Sequence, residues 1–491
     1  MERVLFRELA GKYKVVPVYQ IITADLLTPV LAYIKLRQPD NYCFLLESVE
    51  GIGRLARYSF VGRDPLKVIR NRGAAITISS NGHQQVVQQN LFTYLKQEIQ
   101  RFSHPPLEGL PDFTGGIVGF LGYENIALIE DVIHFKRAEE INAADAIFGL
   151  YDTIVAFDHY KHQLILIKNV FAEEIHDLDK SYHEALTRLK NLQRELARPV
   201  QYRSDFSFSV QNQGESDTGF DALVRRAKEN IYAGDIFQIV LSQRFRATYT
   251  GDLLNVYRAL RIINPSPYMY YMEFGGNFTV IGTSPEDLLK VRDRRATILP
   301  IAGTRRRGRD EQEDEALAQE LLADPKERAE HVMLVDLARN DLGRICKYNT
   351  VKLAEEMHIQ RYSHVMHIVS RVEGELADDR DCIDALMAGF PAGTLTGAPK
   401  IRAVQLIDRY EQVSRNVYGG AVGYIDFGGN LDMCIAIRTL FAHKNRIYWQ
   451  AGAGIVADSI PAHEIKEIEN KSAVMLSALN YAEKIDEDPG D

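Results

Sequence analysis

Two pairs of glutamates, each pair three residues apart, are the groups in this sequence best spaced to act together. Glu327 and Glu330 follow Asp324-Pro325, an N-cap with proline at the first helical position, so both carboxylates sit on one helix face near its start. Glu464 and Glu467 follow Ser459-Ile460-Pro461 in the same way, with Lys471 four residues beyond. Acids in a first turn also complement the helix dipole and commonly face solvent. The sharper reading is that two such helices, if they meet, hold a hard divalent cation such as Mg2+, which takes oxygen ligands and often bridges to an anionic substrate. A second set is single polar residues in apolar strings: Glu286 in Thr283–Leu289, His367 in Val365–Val369 and Arg438 in Ile435–Leu440. A carboxyl in such a setting tends to keep its proton, which makes Glu286 a general-acid candidate. A lone core histidine is more often a satisfied hydrogen-bonder, and His364-x-x-His367 lacks the spacing of a zinc protease.

These residues need elements to carry them. Gly393-Thr394-Leu395-Thr396-Gly397-Ala398-Pro399-Lys400 and Gly452-Ala453-Gly454 are turns that fit neither a Walker A nor a dinucleotide fingerprint. They are plain tight turns or, where a helix follows, backbone N–H groups able to receive a carboxylate. The first part reads mainly as strands, with short apolar runs at 42–46 and 164–167, a Pro- and Gly-rich loop from 104 to 116 and a helix from about 172 to 196. A polar stretch from Arg198 to Thr218 is the best boundary in the chain, and Thr218 with Asp221 starts a helix after it. Strands and helices then alternate to about Glu483, which points to mixed sheets with helices outside them. The acidic tail from Asp486 is expected to be disordered.

Composition bounds the function. The chain has 491 residues, 25% of them charged, and exceeds what one core usually supports. A formal charge of -9, from 58 basic and 67 acidic side chains, argues against a general nucleic-acid binder. The basic triple Arg305-Arg306-Arg307 is cancelled by the acids from Asp310 to Glu315. Four cysteines without a CxxC exclude a disulfide framework and a thiolate zinc site. No apolar run approaches the roughly 20 residues of a membrane span, and no leader is visible, so a cytoplasmic protein is expected.

Longer strings carry a resemblance. Gly234–Arg244, Asn264–Tyr270, Pro300–Thr304, Glu330–Asp341, the Thr394 turn, Tyr418–Tyr424, the Gly452 turn and Glu467–Lys471 run in order along the chain. Leu45–Ser48 and Arg57–Phe60 extend the pattern into the first half. In these strings the sequence resembles the chorismate-utilising enzymes, most closely the large synthase subunits of anthranilate synthase. The resemblance implies an α+β fold, a four-layer α/β/β/α sandwich of orthogonally packed mixed sheets. It divides the chain into an N-terminal domain (1–205) carrying part of a tryptophan site, a catalytic domain (206–485) and a tail (486–491). The implied reaction converts chorismate and ammonia to anthranilate and pyruvate, with Mg2+ held by Glu330 and Glu467 and supported by Glu327 and Glu464. Glu286, His367 and Thr394 are the implied catalytic residues. Gly303, Thr304, Tyr418, Arg438, Ala453, Gly454 and Lys471 are the implied substrate contacts. Glu47, Ser48, Asn264, Pro267, Tyr268, Met269 and Cys434 resemble a tryptophan feedback site, with the Glu47 carboxylate near the ligand's amino group.

Single positions separate the branches of that family. Isochorismate-forming relatives carry a lysine base where this chain has Gln238, and aminodeoxychorismate synthases carry a lysine nucleophile where it has Ala302. Aminodeoxychorismate synthesis and a non-catalytic tryptophan-binding regulator are the rival readings. No cysteine sits in a Gly-x-Cys-x-Gly glutaminase turn, so ammonia is expected from a separate glutaminase subunit in a hetero-oligomer.

Overall fold

A computed structural model of the chain describes residues 1–38, 40–48, 57–136, 141–212, 219–275, 278–362 and 365–486. His364, Thr218 and the tail beyond Asp486 lie outside the described residues. Two sheets of twelve strands each form the frame. Every described pairing is antiparallel, a sharper statement than the mixed sheets expected. Antiparallel neighbours can be joined by tight hairpins, which suits a chain of many short strands.

Side-chain alternation assigns the layers. Along Tyr42–Glu47, Cys43 and Leu45 enter the core beneath the helices, whereas Phe44 faces the second sheet. Along Tyr268–Phe274, Met269 and Tyr271 take the helix side, and Tyr270 and Met272 the inter-sheet side. In the second sheet Ile117 and Leu121 meet helices, while Val118 and Phe120 face the first sheet. Helices Leu178–Ala197, Leu254–Ile263 and Pro461–Ala482 cover the first sheet, and Leu91–Gln100, Pro325–Gly343 and Cys382–Gly389 cover the second. Four layers, α/β/β/α, follow.

Both sheets run through both halves of the sequence. Tyr42–Glu47 pairs with Tyr268–Phe274 in one, and Gly116–Leu121 pairs with Ala421–Asp426 in the other. The helix after the polar stretch is Phe220–Tyr232, with Gly219 at its N-cap and no side-chain cap bond, and the start expected at Thr218 falls outside the described residues. Asp324 caps Pro325–Gly343 as expected, accepting from the Lys326 and Glu327 amides. The basic triple is paired, Arg305 with Glu320 and Asp324, Arg306 with Glu313, and Arg307 with Asp314. Cys43, Cys382 and Cys434 are buried, Cys346 is half-buried, and all four are free thiols. Among the described residues no helix is long and apolar enough to cross a membrane.

The inter-sheet layer is aromatic. Phe120 is buried with its ring centroid 5.5 Å from those of Phe274 and Phe278. Phe120→Ala should lower stability by about 3–5 kcal/mol, the usual range for emptying such a site, and an unchanged denaturation midpoint would contradict this account of the layer.

Candidate active site

The two glutamate pairs come together through their helices. Glu330 is half-buried, and its carboxyl is raised above its usual pKa by burial, then by Glu327 and by Glu467 of the other helix. Glu464 is raised by burial and by Glu467, while Ser459, Lys326 and Lys471 oppose the shift. Helices Pro325–Gly343 and Pro461–Ala482 therefore face each other across Glu330 and Glu467. Lys471 closes the gap, donating to Glu467 Oε1 at 2.6 Å and to the Gly452 carbonyl at 3.0 Å.

The four acids do not gather round one point. Among the described residues no three of His, Cys, Asp or Glu are placed to hold a metal ion. Glu327 is turned towards Arg305, 3.7 Å away, and lies against Gly303, where a Cβ would come within 3.1 Å of its Oε2. Gly303 also has a φ of +67°, a conformation that favours glycine. Of the four acids expected round the metal, Glu327 faces Arg305, while Glu330 and Glu467 influence each other's side of the gap between the helices. A pair still suits magnesium, which often takes one or two carboxylates with waters and substrate oxygens.

Glu286 sits just past strand Phe278–Ser284, and burial raises its carboxyl above the usual range. Arg438, Lys471 and a hydrogen bond donated by Thr394 Oγ1 at 3.3 Å pull it back. In such a setting burial favours the neutral acid and the neighbouring cations favour the charged one. Arg438 has φ +48°, and residues held there cluster at functional sites. With Glu467 and Lys471 it lines a depression of about 460 Å³.

The other predicted contacts flank this centre. His367 Nδ1 donates to the Gly303 carbonyl at 2.7 Å, which makes Nε2 its basic nitrogen. Thr304 Oγ1 lies 3.1 Å from the same Nδ1. Ala453 and Gly454 pair with Leu241 and Val240 in strands Arg446–Ile455 and Gln238–Gly251. Gln238 Nε2 lies 2.8 Å from where a Gly454 Cβ would stand. Gly452 leaves room for the buried Tyr418 hydroxyl, which a Cβ would meet at 2.7 Å. Ala302 is buried opposite Ile368.

The residues expected to bind tryptophan divide. Ser48, Pro267, Tyr268 and Cys434 line an inter-sheet cavity of about 370 Å³, and Met269 adds to its wall although its side chain takes the helix side with Glu47, its cross-strand partner. Asn264 lies outside its lining, with its side-chain oxygen 3.4 Å from Arg438 Nη1. Glu47 contributes to the cavity wall, but its carboxylate accepts from Tyr257 at 2.5 Å and faces Arg261 at 3.2 Å. Tyr257 belongs to the helix-side core, so strand alternation turns this carboxylate away from the cavity. The amino-group role expected of Glu47 is corrected accordingly.

Sequence reading missed the group that fixes the site from beneath. Arg415 is fully buried and grips Glu411 through Nε at 2.8 Å and Nη2 at 2.6 Å. It also donates to the carbonyls of Leu395 and Val240, and its guanidinium lies over the rings of Tyr123 and Tyr418. The signal was present: an acid and an arginine four apart, three residues before Tyr418.

Fold and site together bring acids, placed cations and glycine-lined backbone into one region of the molecule. The profile of the family described as chorismate binding enzyme matches residues 23–477, and the chain belongs to that family. It is 43% identical to anthranilate synthase component 1 of Acetivibrio thermocellus, over 97% of this chain and 98% of that one. Identity to the protein of the same name from Aquifex aeolicus is 41%, over 98% of each. The solved anthranilate synthase component I of Streptococcus pneumoniae TIGR4 superposes with a TM-score of 0.76 at 35% identity, covering 92% of this chain and 98% of that one. The menaquinone-specific isochorismate synthase of Escherichia coli shares the fold, with a TM-score of 0.69 at 20% identity over 97% of this chain and 98% of that one.

Arg415→Met should cost about 3–5 kcal/mol, because it leaves Glu411 charged and buried. Replacing Glu411 with Leu in the same chain should restore part of that loss in a denaturation cycle. Additive losses would show that the two side chains do not act as a pair.

Proposed function

We propose that the protein is the synthase component of an anthranilate synthase, converting chorismate and ammonia to anthranilate and pyruvate. The observation that carries the reading is the meeting of the two acidic helices at Glu330 and Glu467 beside Glu286, Arg438 and Lys471. Relatives named anthranilate synthase component 1 over nearly the whole chain support it.

Glu330 and Glu467 would hold Mg2+, which when bound neutralises a substrate carboxylate in an otherwise acidic wall. Lys471 now neutralises Glu467 and would turn towards substrate when that charge is met otherwise. Arg438, with the Tyr418 hydroxyl and the backbone near Gly454, receives the other carboxylate. Glu286, kept protonated by burial and steadied by Thr394, supplies the proton to the departing hydroxyl. His367, its tautomer set by the Gly303 carbonyl, offers Nε2 as a base for the later elimination. Gln238 and Ala302 offer no amine, so neither water activation by lysine nor a covalent lysine route is available. Ammonia comes from a separate glutaminase, and tryptophan in the inter-sheet cavity opposes chorismate binding.

The decisive assay is purified protein with chorismate, Mg2+ and ammonium, followed for anthranilate with and without tryptophan. para-Aminobenzoate chemistry would identify the aminodeoxychorismate branch instead, and no turnover would identify a non-catalytic regulator. Glu330→Gln should lower turnover by about a hundredfold or more, and normal activity in that variant would sink the metal assignment. Ser48→Phe should relieve tryptophan inhibition by filling the cavity, and inhibition that persists unchanged would remove this site from the account.

A further inference from the structure

Four acids line the inter-sheet cavity: Glu47, Asp112, Asp287 and Asp432. Three of them are already satisfied. Glu47 is held by Tyr257 and faces Arg261. Asp112 is gripped by Arg292 at 2.6 Å. Asp432 accepts from Tyr268 and pairs with Lys290, both at 2.9 Å. Asp287 differs. It is only 8% exposed, and among the described residues its own backbone N–H is the hydrogen-bond donor acting on its carboxylate. Lys290, the nearest candidate partner, is committed to Asp432 and lies 5.9 Å from the Tyr268 ring centroid.

A buried carboxylate met only by its own amide is costly, and a cavity that retains one suits a group that completes it. Burial, with Asp432 and Glu286 adding like charge, holds the Asp287 carboxyl up at about 7 against the pull of Lys290. A cationic donor entering the cavity would remove that penalty. The rest of the lining specifies the remainder of such a ligand: Tyr58, Phe60, Tyr268 and Pro267 offer flat apolar walls, and about 370 Å³ suits one aromatic amino acid. Building on the tryptophan reading above, we infer that Asp287 is the ammonium anchor of this cavity, pairing with the α-amino group of the bound amino acid in the role first expected of Glu47.

Its position gives the anchor a second consequence. Asp287 follows Glu286 directly, and their backbones are fixed to one strand edge, the Glu286 carbonyl accepting from Ile435 N at 3.0 Å and Asp287 pairing with Cys434. The peptide that lines the cavity on one side thus carries the general acid on the other. Occupancy felt at Asp287 reaches Glu286 through a single peptide unit, with no longer relay needed.

Calorimetry with tryptophan, tryptamine and indole-3-propionate separates the parts of the inference. Tryptophan should bind the wild-type protein about 10- to 100-fold more tightly than indole-3-propionate, which lacks the ammonium, as expected for one charge-assisted hydrogen bond. Asp287→Asn should weaken tryptophan and tryptamine by a similar factor while changing indole-3-propionate by less than about threefold, which also shows that the variant cavity is intact. Equal wild-type affinity for tryptophan and indole-3-propionate would overturn the inference without recourse to any variant. Undiminished tryptophan binding to Asp287→Asn would overturn it while leaving the feedback reading in place. Wild-type protein that binds none of the three ligands would overturn both.

Discussion

The site rests on one buried ion pair. Taking Arg415 and Glu411 out of water costs several kcal/mol per ion, and their attraction repays it only when the remaining donors and acceptors are also met. Here they are. Glu411 accepts from the Ser242 amide and hydroxyl as well as from Arg415, and Ser242 is in turn met by Gln450. Arg415 spends its other donors on the carbonyls of Val240 and Leu395. Those bonds join the strand that bears Gln238, the turn that bears Thr394 and the chain leading into Tyr418. Three pieces of the site, distant in sequence, are therefore held by one guanidinium whose planar fork fixes their relative positions. Glu124 adds a fourth tie from the N-terminal half, accepting from the Arg415 and Asn416 amides.

Above that floor the problem is charge. An acidic chain that takes up a dianion must offer cations locally, and at short range in a poorly solvated cleft a few suffice. On the proposed reading Arg438 and Lys471 would be those cations, each set beside an acid. Arg438 lies next to Glu286 and Asn264, and Lys471 next to Glu467. The ion pair between Lys471 and Glu467 offsets one of the acidic charges here. Glu330, whose carboxyl is raised by burial and by the charges of Glu327 and Glu467, marks where added positive charge would be most favourable.

Elements with strong local signals were legible in the sequence. Asp324-Pro325 and Ser459-Ile460-Pro461 announced helices that the structure contains, because an N-cap and an N1 proline act within one turn. The strands at 42–47 and 163–171 were equally plain from their apolar runs. Which side chains share a face across the sheet was less so. Glu47 was expected at the ligand's amino group because Leu45–Ser48 resembled a feedback site, yet strand parity turns its carboxylate to the helix side. Asp287 escaped notice because it stands beside the more conspicuous Glu286, and a bulge between Asp287 and Leu289 alters the parity that would have exposed it. Arg415 escaped because a short-range acid–arginine pair reads as a surface helix bridge, and only tertiary packing makes it a buried one. Helix spacing aligns Glu327 with Glu330, but the ion pair of Glu327 with Arg305 on a neighbouring strand was not legible from that spacing.

Specificity in such a site is decided as much by missing groups as by present ones. The pocket walls formed by the Gln238 strand and by the Ala302 strand are both places where an amine would redirect the chemistry. A lysine at the first would generate hydroxide beside the ring, and a lysine at the second would attack it covalently. Gln238, buried and packed beside Gly454, can donate and accept hydrogen bonds but cannot take a proton at neutral pH. Ala302, buried against Ile368, has no reactive atom at all. Both positions are closed to protein nucleophiles, and the one left to act is a small neutral amine brought from outside. A site arranged in this way gains from receiving ammonia directly and from excluding water, since its own residues activate neither.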